Sequence, residues 1–522
     1  MVSVVVDDGS LAVTDSTMLT LTLALSLVLL LLTYLYKSVI KHAVKYSDIP
    51  AVNNRWPFIG NLFDMSRTHI VLTEWAKEYG PVFRFNLFGE EIVVLNDYDT
   101  IYEALVTRGS DFAGRPHMSR TDYQDRNKNS IVWQTYTPKL QFLRKQIHSS
   151  LRMYGGGLNR LQDRCGTEIT ELISRIDAYK GQAFDPWSLL YCSACNIMLD
   201  LAIGIRFPYN GKDLTRLKEI NGLFNHSFGP GSSRILDHLP MFNIFQDEYR
   251  ALKQAVGLRN QFWLDHNCSK TESRQESVIS DLQKLQGDTR YKEYDVSEST
   301  LKETFTNLIL AGTDTTTTAL TCFLLVLLYR PEIQKRLHTE IDHVIGSSRE
   351  PSLSDRPSMP YMEACLYETL RYISHVPLAV PHATTCDTSV GGKRIPKNTT
   401  VYINLWALHH DENFWSDPWK FDPHRFLDSE GHLVPTHHEN RRRFMVFGAG
   451  RRVCLGEALA KNRLFLFTVS LLQKFRFENT AKVNDEQEID PREFSLGIVL
   501  HPRNFTIKAI KRTEVFDVSL ST

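Results

Sequence analysis

The sequence predicts one large, mainly α-helical domain with small β-sheets, preceded by a single N-terminal transmembrane helix. Three observations favour this fold class. Helical patterns dominate residues 138–285 and 300–329, short strand patterns cluster in 81–96 and 380–455, and an uncharged apolar stretch fills 17–36. No internal repeat and no compositional break divides residues 50–510, so we expect them to fold as one body.

The uncharged stretch at residues 17–36 is long enough to cross a bilayer once. About 20 residues at 1.5 Å each span roughly 30 Å, the thickness of the hydrocarbon core. Acidic residues precede the stretch and lysines follow it: Asp7, Asp8, Asp15, Lys37, Lys41 and Lys45. The positive-inside rule then makes residues 1–16 lumenal and leaves the body in the cytoplasm. The acidic start and the lack of a small-residue cleavage site disfavour a cleaved signal peptide.

After the anchor, we expect a linker over residues 37–60, the folded domain over 61–510 and a tail over 511–522. Residues 81–88 and 91–96 alternate around Gly89 and predict a hairpin. Thr300 and Glu303 have capping-box spacing at the start of the long helix, which Pro331 should end. A last helix is expected over 456–473.

Bulk composition excludes some classes of function. Lysine and arginine together number 60, as do aspartate and glutamate, so no global positive field indicates nucleic-acid binding. The eight cysteines have irregular spacing in a long chain, which argues against a disulfide framework. Reduced thiols and a cytosol-facing body fit this pattern.

One of these cysteines, Cys454, lies in the stretch "FGAGRRVCLG" at residues 447–456, directly before the last helix. The helix N-terminus and the neighbouring arginines are expected to lower the pKa of its thiol. Gly448, Gly450 and Gly456 permit positive φ and close backbone approach. A nucleophile, a structural cysteine and a metal thiolate all remain open, although a nucleophile would need a base, and the upstream histidines at 437–438 lie in a polar loop.

The pattern F-x-x-G-x-R-x-C-x-G is filled by Phe447, Gly450, Arg452, Cys454 and Gly456. It resembles the haem-binding loop of the cytochrome P450 family, the haem-thiolate monooxygenases, and so implies the fold of that family. The resemblance also implies that Cys454 is the axial ligand of haem b (heme, iron protoporphyrin IX). Phe447 would then pack beside the sulfur, and Arg452 would pair with a haem propionate.

A second motif lies in the long helix, at "AGTDTTTTAL", residues 311–320. Glycine and a run of threonines are poor helix formers, so this segment is either a bend, a packing face or a functional site. The string is similar to the oxygen-groove motif of the same family at Ala311, Gly312, Asp314, Thr315 and Thr316. By that resemblance, Asp314 and Thr315 are the catalytic residues that deliver protons to bound dioxygen.

"YETLR" at 367–371 places Glu368 and Arg371 on one helix face. With Arg425 from "PHRF", these residues are similar to the buried Glu–Arg–Arg cluster that locks the cysteine loop in this family, a structural role.

Two further haem contacts are implied by the resemblance. Arg144 fits the arginine of a W-x-x-x-R helix, with Leu140 in place of the tryptophan, and His382 stands where microsomal relatives bind a propionate. One propionate hydrogen bond is then missing or made elsewhere, and the candidates to make it are Trp133, Tyr136 and Lys139.

The resemblance implies a monooxygenase that uses O2 and two electrons from NADPH, delivered by a separate NADPH–cytochrome P450 reductase and sometimes by cytochrome b5. Location in the endoplasmic reticulum membrane follows from the anchor and the family. Basic residues near the thiol suit an acidic flavoprotein, against the alternative of a solvated charge run: Arg441, Arg442, Arg443, Arg451, Lys461 and Arg463.

The segments expected around the substrate are mostly apolar and predict a lipophilic ligand, steroid-like or planar aromatic: 112–133, 221–229, 311–316, 375–380 and 495–500. The stretches "DFAGRP", "VPHATTCDTS" and "INLWALHHDENFW" are most similar to the animal branch of the family that contains steroid 17α-hydroxylases and aryl-hydrocarbon hydroxylases. Two alternatives stay open, a haem-thiolate isomerase or dehydratase that needs no reductase, and a non-enzymatic haem sensor or carrier. The acid–threonine pair argues against the isomerase.

Overall fold

The computed structural model describes residues 18–26, 29, 33, 45–53, 55–56, 59–65, 67–151, 156–228, 237, 246–266, 276–480 and 489–512. Residues 18–26 are helical, and their leucines and Met18 are more than half exposed, as the predicted anchor requires. Residues 1–17, 27–28, 30–32, 34–44 and the tail beyond Arg512 lie outside the described residues, so the lumenal segment, the full length of the anchor and the orientation inferred from the flanking charges stay predictions.

Helices make up most of the described body. In chain order, their bounds are α1 Thr68–Tyr79, α2 Tyr98–Tyr102, α3 Ser119–Gln124, α4 Pro138–Leu151, α5 Gly156–Asp177, α6 Pro186–Ile203, α7 Lys212–Phe228, α8 Asp247–Asp265, α9 Val278–Gln283, α10 Glu298–Tyr329, α11 Pro331–Val344, α12 Pro360–Ile373, α13 Leu405–His409, α14 Glu439–Arg443 and α15 Glu457–Lys474. This confirms the mainly helical fold class.

The strands are short and form small sheets. Their bounds are β1 Val82–Leu87, β2 Glu90–Leu95, β3 Ala183–Phe184, β4 His382–Ala383, β5 Thr388–Val390, β6 Lys393–Ile395, β7 Thr400–Ile403, β8 Phe475–Asn479, β9 Ser495–Leu496, β10 Leu500–His501 and β11 Ile507–Lys511. The largest sheet has the order β1-β2-β7-β4, a second has the order β3-β11-β8, and β5-β6 and β9-β10 are hairpins.

The predicted hairpin at residues 81–96 is confirmed. Val82 pairs with Leu95 and Phe85 with Ile92 in an antiparallel register. Phe88 and Gly89 connect the strands, and both have positive φ (49° and 86°), the combination that a type I′ turn requires. Strand β7 then pairs in parallel with β2, which brings the segment after α12 to this sheet.

Helix α10 is the central helix of the fold and is buried over most of its length. It begins at Glu298, two residues before the predicted start at Thr300, because Ser297 is the N-cap residue. The Ser297 hydroxyl accepts a hydrogen bond from the backbone N–H of Thr300. Helices α6 and α10 are long and apolar enough to cross a membrane, but each is 78% buried inside the body. They are therefore core helices, and they pack against each other in the largest hydrophobic cluster.

Candidate functional site

The cysteine loop, residues 447–456, is a tight set of turns that ends where α15 begins. The backbone N–H of Cys454 donates to the carbonyl of Phe447 (2.8 Å), and that of Val453 donates to the carbonyl of Gly450 (3.2 Å). Gly448 and Gly450 have φ of 69° and 64°, so the loop uses the glycine conformation that was predicted at these two positions. Gly456 was expected to share it, but its φ is −95° and it serves as the N-cap of α15.

Gly450 is required by contact as well as by conformation. A Cβ at this position would lie 1.7 Å from the carbonyl oxygen of Leu105. Leu105 belongs to a π-helical turn, Glu103–Thr107, that extends α2, and the wider turn brings its carbonyl against the cysteine loop. The loop is thus held from both ends, by α2 and by α15.

The Cys454 side chain is accessible although dense protein surrounds it. Burial raises the pKa of its thiol, and this outweighs the lowering by the Gly456 N–H and by Arg144. The expectation that the surroundings lower this pKa is therefore wrong. A raised pKa disfavours a free nucleophilic thiolate, whereas a coordinated metal ion deprotonates a thiol outright. The exposed sulfur argues against a structural cysteine, because structural cysteines are buried, so the metal thiolate is the interpretation that fits this environment best.

The central helix opens toward an internal cleft at the predicted motif. Its side chains are buried on both sides of residues 310–315, yet Ala311 is exposed and Thr315 is partly exposed. The helix is continuous here, so the threonines do not break it. The Thr315 hydroxyl donates to the carbonyl of Ala311 (2.6 Å), four residues earlier.

Asp314, next in the chain to Thr315, contacts other elements. Its side chain is buried, and its Oδ2 accepts a hydrogen bond from the Asn225 amide of α7 (2.7 Å). Nε2 of His501 lies 3.4 Å from the same oxygen. The adjacent acid and threonine are therefore fixed by different partners. The sequence analysis does not single out Asn225 or His501, which are far from residue 314 in the chain.

Three arginines gather beside the cysteine loop without an acidic partner in the described part of the chain. Arg452 donates to the carbonyls of Ala113 (2.8 Å) and Gln134, and Arg144 donates to that of Val453 (2.5 Å). The third member, Arg115, is missing from the sequence-based site. An arginine between glycine and proline in an apolar segment was the available signal.

Arg115 is held by backbone carbonyls alone, those of Val132 (2.9 Å), Val380 (3.2 Å) and Pro381 (2.9 Å). Burial, followed by the charges of Arg452 and Arg144, lowers its pKa. Burial also lowers the pKa of Arg452 to about 10, and its Nη1 is buried without a hydrogen-bond partner among the described residues.

His382 lies beside this cluster. It is buried, and burial, then the charge of Arg115, lowers the pKa of its imidazole. Its Nδ1 is 2.6 Å from the carbonyl of Phe112, so Nδ1 carries the proton and Nε2 is the nitrogen left for a further partner.

These residues fit haem b. Mutually repelling guanidinium groups with an orphaned buried N–H suit a dianion such as the two haem propionates. Cys454 would supply the thiolate, and the opening of α10 at Ala311 would supply a shallow apolar surface. Leu140 is fully buried, and of the three residues considered to replace its missing hydrogen bond, Tyr136 has its ring 5.7 Å from the Arg452 guanidinium.

The structure brings Glu368, Arg371 and Arg425 together in a buried cluster. Arg371 Nε lies 2.7 Å from Glu368 Oε2, and Arg425 Nε lies 3.4 Å from Oε1. The backbone N–H of Asp422 also donates to Oε1 (2.9 Å). One carboxylate thus joins α12 to the segment that leads toward the cysteine loop.

The predicted substrate segments converge around the opening of α10. Trp133 stacks on Phe228 with ring centroids 5.4 Å apart. The N–H of Leu500 donates to the carbonyl of His375 (2.8 Å), which joins the C-terminal hairpin to the segment after α12. Apolar residues at 376, 379, 380 and 498 are partly exposed here. Residue 229 lies outside the described residues.

Part of the predicted basic face lies close to the cysteine loop. Lys461 Nζ is 5.3 Å from the Phe447 ring, and Lys461 and Arg441 both lie over Tyr367. Arg463 is a correction: its side chain is buried in the core, where it donates to the carbonyls of Gly312 (3.0 Å) and Ala194 (3.1 Å). Arg463 therefore lies on the buried side of α15 and is not part of the predicted basic face.

Comparisons with known proteins agree with this geometry. The family model described as Cytochrome P450 matches residues 50–509. Cytochrome P450 2U1 of Mus musculus is 34% identical, over 87% of this chain and 85% of the relative. Steroid 17-alpha-hydroxylase/17,20 lyase of Gallus gallus is 32% identical, over 87% and 90%. Cytochrome P450 2E1 of Rattus norvegicus is 33% identical, over 92% and 97%.

Proposed function

Because the chain belongs to the cytochrome P450 family, whose members are haem-thiolate monooxygenases, we propose that it inserts one oxygen atom of O2 into a lipophilic, steroid-like or planar aromatic small molecule. The observation that carries the proposal is the gathering of Arg115, Arg144 and Arg452 beside Cys454. A dianionic group with an electrophilic metal at its centre would neutralise the charge of the arginines and bind the sulfur of Cys454.

In this proposal, Cys454 would bind the iron of haem b, and the three arginines with His382 would hold its propionates. When bound, the haem supplies the activation of O2, which thiolate ligation favours. Phe447 covers the sulfur side, and the close packing of Gly450 on Leu105 fixes the loop that presents the thiolate.

Proton delivery falls to the pair on the central helix. Thr315 reaches the cleft, and because its hydroxyl proton is donated to the Ala311 carbonyl, its oxygen can accept a hydrogen bond from water or a ligand in the cleft and so hold one end of a proton path. Asp314 is buried beside it, and its Oδ1 has no hydrogen-bond partner among the described residues. A carboxylate oxygen with a free acceptor site can bind water and pass on a proton.

The substrate class is supported by the apolar character of the segments around the cleft and by the relatives. One relative carries the name of a steroid hydroxylase, and this chain is about equally similar to relatives with other names. The stacked Trp133 and Phe228 offer a flat apolar wall, which suits a steroid or a planar ring system.

We further propose that electrons come from NADPH through a separate NADPH–cytochrome P450 reductase, with cytochrome b5 as a possible second donor. Lys461 and Arg441 offer positive charge next to the cysteine loop, where an acidic flavoprotein would shorten the electron path. We also propose that the protein is anchored in the endoplasmic reticulum membrane with its body in the cytoplasm. The apolar helix at 18–26 and the lysines after it support this orientation.

The test is reconstitution of the full-length protein with purified reductase in vesicles, with a panel of steroids and planar aromatics. We expect a substrate-induced spin-state shift, NADPH consumption and a product that carries one 18O atom from 18O2. Product formation without reductase or NADPH would support the isomerase alternative. Haem binding without any turnover across the panel would support the sensor or carrier.

A further inference from the structure

Asp314 is held by two elements that approach the central helix from the substrate side. The Asn225 amide of α7 and the His501 ring of β10 both meet its Oδ2, at 2.7 and 3.4 Å. Burial alone would raise the pKa of this carboxyl, but the hydrogen bond and charge of His501 and the amides of Asn225 and Asn221 lower it overall. The carboxylate is therefore ionised at neutral pH.

A buried carboxyl group that gives up a proton in each turnover needs another group that re-protonates it from solvent. The side chain of Asp314 is only 3% exposed, whereas that of His501 is 24% exposed. His501 Nδ1 lies 3.3 Å from the Thr318 hydroxyl, which fixes the ring plane with Nε2 toward Asp314. The imidazole thus bridges solvent and the buried acid.

The other titratable groups near Asp314 are unsuited to this transfer. Burial lowers the pKa of His375 to about 4, so its ring is neutral at physiological pH. Burial also raises the pKa of Tyr191, which keeps its hydroxyl protonated. The remaining neighbours, Asn225 and Thr318, do not ionise. Among the described groups that face Asp314, only His501 combines direct contact, partial exposure and a side chain that can both bind and release a proton.

We propose that His501 is the relay through which protons reach Asp314, and that Asn225 positions the carboxylate for this transfer. The inference rests on the proposed monooxygenase function. In the step, the N–H bond at His501 Nε2 breaks and its proton passes to Asp314 Oδ2, which becomes a carboxylic acid. Asp314 then gives the proton toward Thr315 and the reacting oxygen, and a water molecule re-protonates His501 at Nε2, the nitrogen that lost its proton. No electrons move in these transfers.

The first test measures product formed per NADPH consumed by the reconstituted holoenzyme between pH 6 and 8.5. The variants are His501→Gln, which keeps a hydrogen-bonding side chain but carries no proton, His501→Ala and Asn225→Ala. His226→Gln is the control, because His226 is an exposed histidine on α7, one residue after Asn225. Substrate affinity is followed separately by the spin-state titration.

We expect the ratio for His501→Gln to fall roughly tenfold, less than the 10²–10⁴-fold that a direct acid–base group contributes, since water partly replaces a relay. In the parent protein the ratio should decline as pH rises, because the imidazole must be protonated to deliver. His501→Gln and His501→Ala should both lose this decline, and His226→Gln should match the parent. A parental ratio and pH profile in His501→Gln would overturn the proposal.

The second test does not depend on turnover. A thermal-stability cycle of His501→Gln, Asp314→Asn and the double variant at pH 6 and pH 8 measures whether the two side chains interact. We expect a coupling that is larger at pH 6 than at pH 8, because a protonated imidazole attracts an ionised carboxylate more strongly than a neutral one does. Additive effects at both pH values would overturn the relay. Coupling without product from the parent protein would refute the proposed function alone.

Discussion

The buried cluster around Glu368 gives a prediction whose size follows from the geometry. Glu368→Gln keeps the volume of the side chain but removes its charge. The side chains of Glu368 and Arg371 are both 0% exposed, and Arg371 makes two bonds to the carboxylate, at 2.7 and 2.8 Å. The variant leaves a buried guanidinium without a counter-charge.

Breaking a buried ion pair on one side costs about 3–5 kcal/mol. Unfolding entropy near 60 °C is about 2.1 cal/mol/K per residue, so the matched domain, residues 50–509, gains about 1 kcal/mol/K on unfolding. The thermal midpoint should therefore fall by about 3–5 °C. Because Asp422 N–H also donates to Glu368, we expect the cysteine loop to loosen and the thiolate-type spectrum to weaken.

The assay is far-UV circular dichroism on heating, with the spectrum of the reduced, carbon-monoxide-bound protein as a second readout. Glu363→Gln on the same helix is the matched control: Glu363 pairs with Arg356 at 2.8 Å, but Arg356 is 24% exposed and water can replace the lost partner. A Glu368→Gln midpoint no lower than that of Glu363→Gln would refute the reasoning.

Three further predictions address the cleft, the cysteine loop and the acid limit of stability. Thr315→Ala removes the hydroxyl that reaches the cleft, so NADPH should be consumed with less product and more hydrogen peroxide; unchanged coupling would contradict its role. Gly450→Ala should abolish haem retention, because its Cβ would lie 1.7 Å from the Leu105 oxygen, whereas Gly448→Ala, with nothing within 4 Å, should cost only about 1–2 kcal/mol in a thermal melt. Burial lowers the pKa of His69 to about 3, so the folded protein keeps this ring neutral, and the resulting stability is fully present above pH 6.5 and lost as the pH falls toward 3. His69→Phe has no such loss, so its gain in free energy of unfolding over the parent should be about 2 kcal/mol larger at pH 5 than at pH 7.5. An equal gain at both pH values would be contrary evidence.

Much of the fold could be predicted because its signals are local. The hairpin at 81–96 depends on alternation and one glycine, and the central helix depends on an apolar run that ends before Pro331. The start of α10 was misplaced because Ser297 and Thr300 both have cap-forming side chains, and only the backbone conformation shows that Ser297 has the extended φ and ψ of a cap.

The site was predictable only where a motif lies in one stretch. Cys454 and Asp314 belong to such motifs, but the groups that act on them come from distant parts of the chain. Arg115 is fixed by carbonyls near residue 380, and His501 reaches Asp314 from the C-terminal hairpin. Burial was equally invisible: it reverses the expected direction of the Cys454 pKa, and it places Arg463 in the core.

The central claim is that the sulfur of Cys454 binds haem iron, and absorbance of the reduced protein under carbon monoxide tests it most directly. The account predicts a strongly red-shifted Soret band in the parent protein and its loss in Cys454→Ser. A parent protein that lacks this band, or a serine variant that retains it, would contradict the account.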